Sequence, residues 1–121
     1  MSAHIAGELA IWPSKDQMER ILQEGGLRAQ VGQYSVCVEE CSHFVFQQYG
    51  GDLGDPVIDA DADTVANMIR EGGLVSAALS RAGIKHRFEI YDSFKTFAGY
   101  LHHNWPLQEE GAVADRGSGD A

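Results

Sequence analysis

The period of the hydrophobic positions changes along the chain, and each change marks an element. Over residues 5–12 apolar side chains alternate, with Leu9 and Ile11 on one side and Ala10 and Trp12 on the other. That alternation predicts a half-buried strand, which Pro13 stops. Ser14 followed by Gln17 has the spacing of a capping box, and Met18, Ile21 and Leu22 then lie on one helical face. Gly25-Gly26 offers a left-handed exit, with Leu27 placed to pack back on the last turn. Residues 30–38 and 42–49 are rich in β-formers and predict a hairpin around Glu39-Glu40. A helix over 39–49 also fits, because Cys41, Phe44, Val45 and Gln48 follow a 3.6 period.

Residues 50–56 carry turn chemistry and predict a loop. From Ala62 onward Val65, Met68, Ile69, Gly72, Val75 and Leu79 trace a helical stripe as far as Gly83. Gly72-Gly73 interrupts it at a cost of about 2 kcal/mol against two alanines, which favours two short helices over one. His86–Tyr91 alternates again as a strand, and residues 100–103 can pair with it across a connection at 92–98. From Leu107 the composition turns to Gly, Ala, Asp, Glu and Ser, so one domain is expected over 1–106 with a flexible acidic tail over 107–121.

The resulting order is β-α-β-β-α-β with one extra C-terminal strand. Over residues 5–92 it resembles the ferredoxin-like split βαβ arrangement, an α+β fold with an antiparallel sheet and helices on one face. With a two-residue turn at Glu39-Glu40, Tyr34, Val36, Val38, Cys41, His43, Val45 and Tyr49 share one sheet face. Val31, Ser35, Cys37, Phe44 and Phe46 share the other. Both faces are then apolar, helices cover only one, and a homodimer through the open face is the expected solution.

Charge narrows the partners. With 9 basic and 18 acidic residues the chain carries −9, which argues against nucleic-acid binding because phosphate neutralisation needs a basic patch. No apolar run approaches the roughly 18 residues of a spanning helix, and the first residues lack a basic n-region and a long h-region, so a cytoplasmic protein off the membrane is expected.

Two stretches invite metal chemistry. Cys37-x-x-x-Cys41-x-His43 places thiols near an imidazole, with His86, His102 and His103 as distant donors. A two-residue turn points the thiols to opposite faces, so buried free cysteines are the expectation. In the helical alternative they lie four residues apart and can share an ion. Asp59-Ala-Asp61-Ala-Asp63 imitates the start of an EF-hand loop, but Thr64 stands at the glycine position and Arg70 where a bidentate Glu belongs. A helix start capped by Asp61 or Asp63 is the better reading. Five aspartates without Lys or Arg in residues 50–63 also suit an acidic contact patch or a weak cation site.

The candidate ligand-binding residues gather at the histidine-rich end: His86, Glu89, Tyr91, Tyr100, His102, His103 and Trp105. Histidine beside a carboxylate can carry protons, and Tyr and Trp offer a platform for a small planar ligand. No nucleophile motif, phosphate loop or zinc-protease motif accompanies them, so no catalytic residue, metal or cofactor is assigned. The leading expectation is a non-catalytic ligand-binding or regulatory module. Its alternatives are a cofactor-free isomerase or monooxygenase acting on a planar substrate, and an acidic immunity-type inhibitor of a basic partner protein.

Overall fold

Period-2 alternation builds seven strands and two amphipathic stripes build two helices. The computed structural model describes residues 2–49 and 56–105. In chain order they form β1 (Ala3–Leu9), α1 (Lys15–Glu24), β2 (Ala29–Val31), β3 (Ser35–Val38), β4 (His43–Gln47), β5 (Val57–Ala62), α2 (Val65–Arg81), β6 (His86–Asp92) and β7 (Phe97–His103). The strands make one open sheet in the order β2-β3-β4-β5-β1-β6-β7, and every neighbouring pair is antiparallel. The α+β class and the antiparallel sheet therefore stand.

The ferredoxin-like order does not. Four strands rather than two separate the helices, because residues 30–38 hold parts of two strands and the aspartate run forms another. Residues 30–38 divide at Gly32, whose N–H donates to the Ser35 carbonyl at 2.8 Å and closes a turn between β2 and β3. The aspartate run is β5, with Ile58, Ala60 and Ala62 turned inward and Val57, Asp59 and Asp61 outward. Neither Asp61 nor Asp63 caps the helix. Thr64 does, its hydroxyl accepting from the Asn67 N–H at 3.0 Å.

The hairpin reading of residues 39–49 holds, but its turn is longer than two residues. Val36 faces Phe46 and Cys37 faces Val45, with residues 39–42 connecting the strands. Val36, Val38, Phe44 and Phe46 consequently share the buried face, while Ser35, Cys37, His43, Val45 and Gln47 lie on the other. The expected second apolar face is therefore a polar one. The connection is held by Glu71 of α2, whose buried carboxylate accepts from the Ser42 N–H and the Ser42 hydroxyl, both at 2.9 Å. Cys37 on β3 and Cys41 in the connection are free thiols, half-buried rather than buried as expected.

α1 follows its sequence signals. The Ser14–Gln17 capping box is formed in both directions, Gly26 takes φ +88°, and Leu27 is buried with its N–H donated to the Leu22 carbonyl at 2.9 Å. Ser14→Ala is expected to cost about 1 kcal/mol, read as a lower urea midpoint with an unchanged slope.

α2 runs unbroken through Gly72-Gly73, against the expected break. A Cβ on Gly72 would lie 2.9 Å from the Ile5 Cδ1 and 3.2 Å from the Leu101 Cδ1, so the glycine lets the helix settle closely onto β1 and β7. Tertiary contact outweighs the weak propensity. Both helices cover the same sheet face, where Met18 and Leu22 of α1 and Met68, Val75 and Leu79 of α2 join Ile5, Phe44, Phe46, Phe88 and Ile90 in one core. Each such side chain contributes about 1.5–3 kcal/mol on burial. Among the described residues no helix is long and apolar enough to cross a membrane. The loop expected at 50–56 lies outside the described residues except for Pro56, and the acidic tail expected over 107–121 lies outside them entirely.

Candidate functional site: the open sheet face

Side chains opposite the helices form three rows, set by strand register. The first runs His43–Asp61–His4–Tyr91 across β4, β5, β1 and β6. In the second, Val45 faces Asp59, while Ala6 faces Glu89 and Glu89 faces Tyr100. In the third, Gln47 faces Val57, while Glu8 faces Arg87 and Arg87 faces His102. No helix among the described residues covers these rows.

Arg87 is held on several sides. It pairs with Glu8 at 2.6 Å and Glu89 at 3.6 Å, and its guanidinium stands 5.3 Å from the centre of the Trp105 ring. Around it the aromatic groups stack in pairs, His4 on Tyr91 at 5.6 Å and Tyr100 on His102 at 4.9 Å. The Tyr91 hydroxyl donates to Glu89 at 3.0 Å, and that carboxylate holds the phenol above its usual range, since ionising it would lose the bond and set two anions together.

Five of the seven residues picked from the sequence thus meet on this face: Glu89, Tyr91, Tyr100, His102 and Trp105. His86 and His103 do not. They face each other on the helix-covered side, their rings 6.3 Å apart. His86 is fully buried, its Nδ1 2.8 Å from the Ile84 carbonyl and its Nε2 2.8 Å from the Ser76 hydroxyl. A carbonyl only accepts, so Nδ1 carries the proton and Nε2 accepts from Ser76. Burial pushes the imidazole down, against a smaller opposing effect of the Ile84 bond, and keeps it neutral. Both nitrogens are occupied and the ring is out of solvent, so His86 holds the core together.

The chain's remaining chemistry-bearing groups divide similarly. Cys41 donates to the Glu71 carbonyl at 3.7 Å, and burial, with Glu71 and Glu40 nearby, pushes its thiol up to about 12, which leaves it unreactive near neutrality. His43, Asp59 and Asp61 lie together on the open face, where His43 Nε2 reaches Asp59 at 3.0 Å. The sequence offers Asp59 and Asp61 as part of a weak cation site and His43 as a donor beside the cysteines, but it does not join them into this group, nor does it single out His4 or Glu8. The in-out alternation of residues 57–62 is the signal that finds it, obscured by small alanines on the inner side.

Beside the rows the β1–β5 ladder ends at Ile5↔Ala60, although β1 stays paired with β6 as far as Leu9↔His86. The parted strands leave a cleft of about 610 Å³ lined by Gly7, Glu8, Trp12, Pro56 and Ile58 among others. Among the described residues Glu8 is the only ionisable one that lines it. Comparison with protein-family models, curated proteins and solved structures gives no match.

Proposed function

We propose that this chain is a non-catalytic protein-binding module whose open sheet face docks a basic partner protein. One observation carries the reading. The uncovered rows bear Glu8, Asp59, Asp61 and Glu89 against a single arginine, Arg87, which Glu8 and Glu89 already neutralise. The −9 charge of the whole chain has the same sign, and opposite fields speed encounter and select partners. Tyr91, Tyr100 and Trp105 add the aromatic area that anchors interfaces. An acidic inhibitor that masks a basic protein is the sharpest form of this function. A second copy is a poorer occupant, because a two-fold interface sets these carboxylates against themselves.

The test compares two variants of equal charge change. Asp59→Lys/Asp61→Lys reverses the face, and Asp16→Lys/Glu24→Lys reverses exposed positions on α1. Proteins captured from lysate at low salt are identified by mass spectrometry, and association rates are measured for the leading one. A partner with pI above about 9 is expected. Association should slow about tenfold or more for the face variant, with little change for the helix variant. An acidic partner, equal losses in both variants, or binding indifferent to salt would overturn the reading.

A further inference from the structure

We propose that His43, Asp59 and Asp61 form a binding site for a divalent first-row transition ion of the zinc class. The site lies apart from the Arg87 cluster and needs no partner protein, although it shares Asp59 and Asp61 with the docking face proposed above. Its donor atoms, one imidazole nitrogen and two carboxylate oxygens, all lie within 4.8 Å of one another. His43 Nε2 and Asp59 Oδ2 are 3.0 Å apart. Two donors bound to one zinc at about 2.1 Å stand roughly 3.0–3.4 Å apart, so this pair already has a ligand separation. Asp61 closes the set by rotating an exposed side chain.

The fold supports the group from beneath. His43 and Asp61 are cross-strand partners on β4 and β5, and Asp59 follows on the same face of β5 two residues away. Three donors therefore stand on two hydrogen-bonded strands, a stiffer base than a loop. The Gln47 amide donates to Asp59 at 3.2 Å, the kind of outer contact that orients a ligating carboxylate. Asp59 and Asp61 carry like charges side by side. One exposed hydrogen bond to a histidine relieves that repulsion only weakly, whereas a dication relieves it for both.

The donor set also selects the ion. Calcium takes six to eight oxygens and magnesium keeps most of its water, so one imidazole and two carboxylates suit neither. Zinc, cobalt and nickel accept mixed nitrogen and oxygen donors, with water in the remaining positions. Side-chain exposures of 39% for His43 and 50% for Asp59 leave those positions open to solvent.

The test uses the full chain freed of metal by a chelator and titrated calorimetrically with Zn²⁺, then with Ca²⁺. One equivalent of Zn²⁺ is expected, weakened more than about tenfold by His43→Ala and by Asp61→Asn, and unchanged by His102→Ala. Ca²⁺ should bind far more weakly. The Co²⁺ form should lack a thiolate charge-transfer band, and in the wild-type NMR spectrum Co²⁺ should perturb the His43 ring before any other histidine, a readout independent of how the variants fold. Absence of saturable Zn²⁺ uptake, uptake retained in His43→Ala, equal affinity for Ca²⁺, a thiolate band, or first perturbation at His102 or His103 would overturn the proposal.

Discussion

His86→Ala is expected to remove about 4 kcal/mol of stability, a large share of the roughly 5–15 kcal/mol available to a domain of this kind. Two losses combine. Deleting a fully buried ring leaves a cavity beside Phe88, whose ring lies 4.9 Å away, and such deletions commonly cost about 3–5 kcal/mol. The Ser76 hydroxyl and the Ile84 carbonyl also lose their partner, at about 1–3 kcal/mol for each that stays dry. The two effects overlap where the cavity admits water. Urea unfolding at pH 7.5 reads the difference directly, and a change under about 1 kcal/mol would mean that the ring is not held as described.

The same residue sets a pH dependence. Burial lowers the folded-state pKa of His86, so its contribution is fully present above the unfolded value of about 6.5. As pH falls below that value the unfolded chain takes up a proton that the folded chain refuses. Stability then declines by at most about 1.4 kcal/mol per pH unit from this group, until the folded pKa is reached. His86→Gln, which keeps a donor and an acceptor, should lack this component. The difference between wild type and His86→Gln should therefore shrink between pH 7 and 5, and a constant difference would exclude the mechanism.

Gly25→Ala is expected to cost about 2–3 kcal/mol although the residue is exposed and its φ of −83° suits any amino acid. The added Cβ would lie 2.5 Å from the Ala78 Cβ and 2.9 Å from the Ala78 Cα. Neither atom has a rotamer to change, so α1 and α2 must move apart. Gly73→Ala is the matched control. Nothing lies within 4 Å of its added Cβ, and helix propensity should raise stability by about 0.5–1 kcal/mol. Equal signs for the two substitutions would show that close helix contact is not what requires Gly25.

Much of the local structure was legible. The capping box, the Gly25-Gly26 exit and the alternation of His86, Phe88 and Ile90 against Arg87, Glu89 and Tyr91 all appear in the fold as read. Each depends on neighbours within a turn or on the period of one strand. The strand at Val57–Ala62 was not legible, because aspartates resemble a cap and alanines give little hydrophobic contrast. Once β5 was missed, Asp59 and Asp61 had no reason to meet His43.

Sequence by itself therefore determined which segments are amphipathic, where α1 starts and stops, and that the chain is acidic. Tertiary structure decided the strand order, the unbroken course of α2, the burial of His86 and the gathering of charge on the open face. Periodicity and capping act over a few bonded neighbours, whereas pairing and close approach join residues far apart in the chain. Val36 faces Phe46 where a two-residue turn at Glu39-Glu40 would set it against His43, and that odd shift of three residues turns every side chain of β4 to the opposite face, which is why the register of this hairpin settled what the open face displays.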